Sequence, residues 1–335
     1  MRAVKYSRTG SARDVLEIVD KDRPTPGPGE VRVRIAWSGV NPSDTKSRAG
    51  ARSPFMPFPE VTPHSDGAGI VDAIGDGVAT HKNGDRVWVW NAAWGRPDGT
   101  SAEWVVVPAG QAVALPANVP LEVGACLGIP ALTACHAVLM NGGVAGKRVL
   151  VAGGAGAVGY YAIQMARLCG ASQIIATVSS DQKAALAKSA GADASVNYRS
   201  EKLVERVHEL TSGAGVDRII EVDLAANAMA DFQMLAANSE LVVYGSGQPE
   251  VPVPFVPGIL KNIRLSFFIV YHLLPDDRAV ATERLTRWLE DGALNHQIAA
   301  RLELDAIAEA HELVESGKVI GNVVVSPWQG ADRPG

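Results

Sequence analysis

The sequence predicts an α/β protein in which a β-rich first part is followed by a doubly wound parallel sheet. Three observations carry that expectation. The first ~120 residues hold short alternating apolar runs separated by Pro and Gly clusters, without helix–strand alternation. From Val149 onward, strand and helix patterns alternate. Between them lies Val149 to Leu168, VLVAGGAGAVGYYAIQMARL, an apolar run, four glycines, then apolar residues at helical spacing.

Taken in order, Val31 to Ala36 alternates cleanly and reads as a strand with one wet face. Gly67 to Val71, Arg86 to Trp90 and Glu103 to Val107 read as further strands. Pro24–Gly29, Pro54–Pro63 and Gly95–Gly99 read as loops. Leu121 to Asn141 is apolar and alanine-rich, broken at Gly128-Ile129-Pro130 into two helical pieces. Strands are then expected at Val149–Ala152, Gln173–Val178, Ala194–Tyr198, Val216–Val222 and Leu241–Tyr244. Helices are expected through Leu168, at Asp181–Ala190 and over Lys202–Thr211. Arg264 to Leu274 is an apolar, aromatic run. Helices at Asp277–Glu290 and Asp305–Ser316 and a strand at Asn322–Ser326 complete the reading.

Composition narrows the function classes. The 335 residues are 47% apolar and 20% charged, as in a globular protein with a large core. A net charge of −5 gives no electrostatic case for nucleic acid or a membrane surface. Cys126, Cys135 and Cys169 lack metal or redox spacing, and this sparse, odd count suits a reducing compartment. MRAVKYSRTG has no apolar signal region and no run of about 18 apolar residues occurs, so a cytoplasmic protein is expected.

Gly154, Gly156 and Gly159 stand in G-x-G-x-x-G register between a strand and a helix. Dinucleotide binding needs glycine there for a tight turn, for close approach of a pyrophosphate and for helix–strand packing. Gly154, Ala155, Gly156, Ala157, Val158 and Gly159 are therefore the candidate cradle, with the free N–H groups of the helix facing the phosphates.

With those residues in hand, the chain resembles the zinc-independent medium-chain dehydrogenase/reductases, specifically the zeta-crystallin-like NADPH:quinone reductases. The resemblance rests on SGVNPSDTKSRAG (38–50), PHSDGAGIVDAIGDGV (63–78), KNGDRVW (82–88), LGIPALTA (127–134), the glycine loop, VNYR (196–199) and Gly245-Ser246-Gly247, in that order. It implies a GroES-like β-barrel catalytic domain over 1–123 and a Rossmann NADPH-binding domain over 124–264. Residues 265–335 would then supply an edge strand, the return to the catalytic domain and a tail.

Zinc relatives carry a Cys after the first Gly-Val and a Gly-His-Glu before Gly-Ala-Gly. Here these positions are Asn41 and Ser65-Asp66, which bind zinc poorly, and His64 falls one residue early, as a surface or packing histidine. No metal is expected. Without a Lewis acid, an acceptor that delocalises charge itself, a quinone or an enone, is favoured over an alcohol.

The cofactor reading turns on the stretch about 20 residues past the glycines, where an NAD enzyme places Asp or Glu. This chain has Val178-Ser179-Ser180, then Asp181-Gln182-Lys183. Serines leave room for a 2′-phosphate and Lys183 supplies charge, which favours NADPH, while Asp181 keeps NAD open. Ser179 or Ser180 would equally cap the next helix. The resemblance adds Lys183 and Tyr198 as phosphate ligands and places Thr133, Gly245 and Ser246 near the nicotinamide. It also places Asn41 beside nicotinamide and substrate, where an amide donates to developing oxyanion charge. Asp44 would hold that loop or simply cap a turn. Lys46 stands where relatives commonly have Tyr; it would stabilise an oxyanion, donate a proton, or point to solvent. Trp90, Trp94 and Tyr271 are core aromatics first and pocket walls second.

The leading expectation is thus an NADPH-dependent quinone reductase. An enoyl or other α,β-unsaturated carbonyl reductase is the alternative of the same class, and a non-catalytic crystallin-like protein the alternative of another. The apolar stretch 265–271 is too apolar for an exposed edge. Relatives pair it across a two-fold axis, so a homodimer or homotetramer is expected.

Overall fold

Val31, Val33 and Ile35 are fully buried while Arg32 and Arg34 between them are half-buried, so the predicted alternation does form a strand, which runs on to Val40. This is seen in a computed structural model that describes residues 1–51 and 53–334. In chain order its strands are β1 (Arg2–Lys5), β2 (Glu17–Asp20), β3 (Glu30–Val40), β4 (Asp66–Ile74), β5 (Arg86–Val89), β6 (Trp104–Pro108), β7 (Ala112–Ala114), β8 (Arg148–Val151), β9 (Gln173–Val178), β10 (Ala194–Asn197), β11 (Val216–Glu221), β12 (Leu235–Val243), β13 (Arg264–Phe267), β14 (Ile298–Glu303) and β15 (Asn322–Ser326). The chain divides into two units, Met1–Pro130 with Thr286–Gly335, and Ala131–Leu285.

The first unit is organised on β3. Its first half pairs with β6 and its last residues with β15, while its whole length pairs with β4, all antiparallel. Register shifts between Arg32 and Val33 and between Ile35 and Trp37 let one strand serve three partners, because each bulge bends and twists it. The order β14-β15-β3-β4-β5-β7 wraps a core of Val31, Val33, Ile35, Val71, Val87, Val89, Val105 and Val107. The chain's end is fastened to the same strand: Trp328 Nε1–H donates to the Ile35 carbonyl at 2.6 Å, and Arg34 lies 4.3 Å above the Trp328 ring.

In the second unit all six strands run parallel in the order β10-β9-β8-β11-β12-β13. The order reverses beside β8, so the crevice outside the strand ends opens there. The core gathers Leu150, Ile175, Ile219 and Leu241 from the sheet with Val207, Leu224, Phe232 and Met234 from the flanking helices. Arg218 is fully buried. It donates to the carbonyls of Ala137, Val138 and Met140 and pairs with buried Glu240, which ties the end of the Leu132–Leu139 helix to the sheet.

Several expectations shift. The compact units meet at 130/131 and 285/286, beside the domain limits of 123/124 and 264/265 that the resemblance implies. Strand β13 adds to β12, so the chain stays with the nucleotide sheet until it is inside the Pro275–Glu290 helix. The first part, read as mostly β with no helix named in it, contains the Pro42–Ala49 helix. Its sequence PSDTKSRA lacks an apolar stripe and is fixed by its cap and by buried Arg48 instead. The Leu224–Met234 helix was also unread, although its Ala, Leu and Met are good helix formers. Of the apolar run 264–274 only Arg264–Phe267 is strand; Val270–His272 turns away as a 3-10 segment.

Removing one partner of a buried pair leaves an uncompensated charge. Glu240→Ala is expected to cost about 3–5 kcal/mol in urea unfolding. Arg218→Met with Glu240→Leu should cost less than the sum of the two single changes.

Candidate cofactor cradle and catalytic residues

All six strands of the second unit being parallel, their C-terminal ends share one edge, and the predicted cofactor residues emerge there. The turn after β8 is shaped by missing Cβ atoms. Gly153 takes φ +65°. A Cβ on Gly154 would lie 2.6 Å from the Ala176 Cβ of β9 and 2.9 Å from Ile163 Cδ1 of the next helix. One on Gly159 would lie 2.3 Å from the Gly153 carbonyl oxygen. Gly156 is the N-cap of the Ala157–Leu168 helix, so the backbone N–H groups of Ala157, Val158 and Gly159 form its first turn, where no intrahelical acceptor exists. With Ala155 between Gly154 and Gly156, the loop is a ready site for a pyrophosphate.

Next to it, β9 ends at Val178 and Ser179-Ser180 follow. Ser180, not Ser179, caps the Asp181–Ser189 helix, its hydroxyl accepting from the Lys183 N–H at 3.3 Å. Lys183 is half-buried in the first turn, and its ammonium has no protein partner among the described residues. The Tyr198 N–H donates to the Val178 carbonyl at 3.1 Å, so Tyr198 leaves β10 level with Ser179; its ring is 51% exposed. Arg199 follows, exposed, with a guanidinium likewise unpartnered among the described residues. Three groups able to donate to a phosphate thus surround an edge where no acidic side chain ends β9. Arg199 was part of the VNYR motif but not singled out.

At the far side of β8, Gly245 closes on the end of β11: a Cβ there would lie 2.2 Å from the Val222 carbonyl. The Ser246 hydroxyl donates to the Gln248 carbonyl at 2.7 Å, and the Gly247 N–H donates to Asp223 Oδ1 at 2.7 Å. Beneath this turn sits a pair the sequence reading missed. Glu221, fully buried, accepts from the Asp223 N–H and from Asn227 Nδ2, and Asp231 lies beside it, also buried. Burial and the neighbouring Glu221 push the Asp231 carboxyl up to about 9. The two carboxyls share a proton at neutral pH. Thr133 is buried in the Leu132–Leu139 helix, which packs on the Ala157–Leu168 helix. Tyr271 is buried as well.

In the first unit the structure brings Asn41, Asp44 and Asp66 together. Asn41 caps the Pro42–Ala49 helix and forms a capping box with Asp44, whose carboxylate accepts the Asn41 N–H at 2.8 Å. Asp44 therefore caps this turn. The Asn41 amide nitrogen donates to Asp66 Oδ2 at 2.9 Å, and the Ile129 N–H donates to the same oxygen at 2.8 Å. Asp66 is fully buried; burial first, and Asp44 second, hold its carboxyl well above the usual range. Burial pushes the Cys126 thiol up too, and Asp66 adds to it. Lys46, on the same helix, is exposed. His64 is fully buried at φ +77° and meets buried His311 at 2.9 Å between Nε2 atoms, the packing rather than the surface role.

This donor set does not fit zinc. Asn41 turns a hydrogen-bond donor, not a lone pair, towards Asp66. Among the described residues no three His, Cys, Asp or Glu side chains are placed to hold a metal ion. Nor is any helix of the described residues long and apolar enough to cross a membrane.

Two family models match the chain: an alcohol dehydrogenase GroES-like domain over residues 27–117 and a zinc-binding dehydrogenase over 157–287. A quinone oxidoreductase of Pseudomonas aeruginosa is 31% identical over 324 residues, which cover 94% of this chain and 96% of the relative. Among solved structures, an NAD-dependent alcohol dehydrogenase aligns with a TM-score of 0.90 at 31% identity, covering 98% of this chain and 100% of the other. The Escherichia coli quinone oxidoreductase complexed with NADPH aligns at 0.88 and 26% identity, over 98% and 100%.

The shared proton gives a pH test. An unfolded Asp ionises near 4 and the folded one near 9, so the native state holds an extra proton between these values and loses stability as pH rises through them. Thermal unfolding of Asp231→Asn should fall less steeply from pH 7 to 9 than that of the wild type. An unchanged slope would mean that Asp231 is ionised in the fold.

Proposed function

The chain belongs to the medium-chain dehydrogenase/reductase superfamily of oxidoreductases, and we propose that within it this protein is a zinc-independent, NADPH-dependent quinone reductase. The observation that carries the cofactor choice is the end of β9, free of acid and bordered by Lys183 and Arg199, both unpartnered among the described residues, with Tyr198 exposed beside them. NAD-binding relatives need an acidic acceptor for the ribose hydroxyls at that place. Asp181 lies within the following helix, in its first turn. The quinone oxidoreductases among the relatives, one of them complexed with NADPH, support the same reading.

In this reading Ala157, Val158 and Gly159 give backbone N–H groups to the pyrophosphate, and Gly154 and Gly156 let it approach. Ser179, Lys183, Tyr198 and Arg199 hold the 2′-phosphate. Gly245, Ser246 and Thr133 line the nicotinamide end. When bound, NADPH supplies the hydride. The chain's own contribution is orientation, exclusion of water and a donor: the second N–H of Asn41, the one not given to Asp66, stabilises charge on the acceptor's oxygen. Lys46, exposed, stands ready to neutralise that charge. That position is where relatives commonly carry Tyr, and it favours enones as the second substrate class.

We further propose a homodimer. Strand β13 is the open edge of the sheet, and Phe267 on it is 64% exposed. Phe255, Val256, Ile259 and Leu260 of the nearby Phe255–Leu260 helix are exposed too. An apolar edge of this kind is covered in stable proteins. Light scattering should give about twice the 35.2 kDa chain mass; a monomer at micromolar concentration would overturn the dimer.

The cofactor assignment is tested by fluorescence titration. Lys183→Ala with Arg199→Ala is expected to weaken NADPH about 10- to 100-fold while leaving NADH nearly unchanged, since each lost phosphate contact is charge-assisted. Equal loss for both cofactors would remove the 2′-phosphate reading. Turnover with 1,4-benzoquinone, 9,10-phenanthrenequinone, an alkyl enone and an enoyl thioester then ranks the acceptors. Lys46→Tyr should shift that ranking towards quinones; rates unchanged on every acceptor would take Lys46 out of the chemistry.

A further inference from the structure

We propose that Asp66 is a positioning residue of this reductase: it fixes the Asn41 side chain so that an amide N–H, and not the amide oxygen, is left for the acceptor. The inference rests on the quinone-reductase reading above and concerns how its donor is held.

The orientation follows from hydrogen-bond logic. A terminal amide can turn over and exchange its nitrogen and oxygen, and density or shape alone seldom tells which is which. Here the partner decides. A backbone N–H can only donate, so the Ile129 N–H at 2.8 Å marks Asp66 Oδ2 as an acceptor. In the capping box the Asn41 side-chain oxygen faces the Asp44 N–H, so the group 2.9 Å from Asp66 Oδ2 is the NH2. Turning Asn41 over would set its NH2 against the Asp44 N–H, two donors facing each other in a site where both residues are buried. One amide hydrogen is spent on Asp66, and the other projects away from it on the same nitrogen.

Asp66 is itself held from behind. Its backbone carbonyl accepts the Thr100 hydroxyl at 2.5 Å. A carbonyl cannot donate, so the Thr100 proton is committed there and every later bond in the chain takes one direction. Ser38 donates to Thr100 at 2.7 Å and accepts from His64 Nδ1–H at 2.8 Å. The His64 Nε2 lone pair then accepts from His311 Nε2–H at 2.9 Å. All five residues are buried. Burial holds both histidines below their usual range, so each is neutral, as the chain requires. The backbone adds registry: Asp66 of β4 pairs with Gly39 of β3, two residues before Asn41. Gly128 leaves room for the carboxyl, since a Cβ there would lie 2.3 Å from Asp66 Oδ1. Nothing in this set touches the reacting atoms; it acts through Asn41.

A double-mutant cycle separates positioning from plain structure. Steady-state NADPH oxidation with 9,10-phenanthrenequinone is measured for wild type, Asp66→Leu, Asn41→Ala and the pair, with NADPH affinity from fluorescence. Asp66→Leu is expected to lower kcat about tenfold or more with NADPH affinity kept. That loss should vanish in the Asn41→Ala background. Asp66→Asn, which keeps an acceptor oxygen, should lose less than Asp66→Leu. If Asp66→Leu does not fold, Asp66→Ser, too short to reach Asn41, takes its place in the cycle. An equal loss with and without Asn41, or a loss confined to NADPH affinity, overturns the assignment. A wild type that binds NADPH but reduces neither quinone nor enone instead overturns the reductase reading, and this inference with it.

Discussion

A Cβ on Gly159 would stand 2.3 Å from the carbonyl oxygen of Gly153. That one distance governs the nucleotide unit. The turn between β8 and its helix can be this tight only if position 159 has no side chain. Only then does the helix begin at Ala157 with its first N–H groups beside the strand end. Gly154 makes the same demand sideways, towards β9, and Gly245 makes it across the sheet, towards Val222. Three strand ends are thus drawn to one edge by absent methyl groups. The edge they form is lined by backbone donors rather than by side chains, and such a surface suits a phosphate without choosing among nucleotides. One strand further out stand Lys183, Tyr198 and Arg199, the residues that the proposed function gives that choice.

The first unit solves a different problem. A relative that uses a metal would place a thiolate and a histidine where this chain has Asn41 and Ser65. Among the described residues no cationic side chain pairs with the buried carboxyl of Asp66. Burial shifts it towards its neutral form, and donors from Asn41 and Ile129 satisfy one of its oxygens. Asp66 is thereby held at the modest energetic cost of a hydrogen-bonded buried acid rather than of a buried ion.

How much of this was legible in the sequence varies by the kind of signal. Strands with one wet face, such as 31–35, were readable because burial alternates with the pleat. The parallel strands were readable because Gly and polar clusters bound their apolar runs. The Pro42–Ala49 helix was not, since its residues carry no apolar period; the helix exists because Asn41 and Asp44 cap it and Arg48 is buried. Asn41, Asp44 and the glycines could be named from motif position. Asp66 was noticed only as a poor ligand, because its partners Asn41 and Ile129 lie 25 and 63 residues away and no local pattern links them. Glu221 and Asp231 stayed invisible for the same reason: ten residues apart, they meet only once a helix folds back on the strand.

The buried titratable groups also set opposing pH limits on the fold. His311 is pushed down to about 3 and His64 in the same direction, both by burial. Unfolded histidines take up protons near 6.5, so this pair contributes stability above that value and withdraws it as pH falls below. Asp66 and Asp231 act the other way. Raised by burial, they bind protons in the native state that the unfolded chain has released above about 4, and their contribution declines as pH climbs. Between about 4 and 6.5 the two effects oppose each other, and above 6.5 only the acids still change. A chain whose buried polar groups are neutral in this way is most stable near or below neutrality, where its histidines have already lost their protons and its acids have not. A neutral His64, its Nε2 lone pair free to accept, is also the form that the one-directional chain from the Asp66 carbonyl to His311 requires.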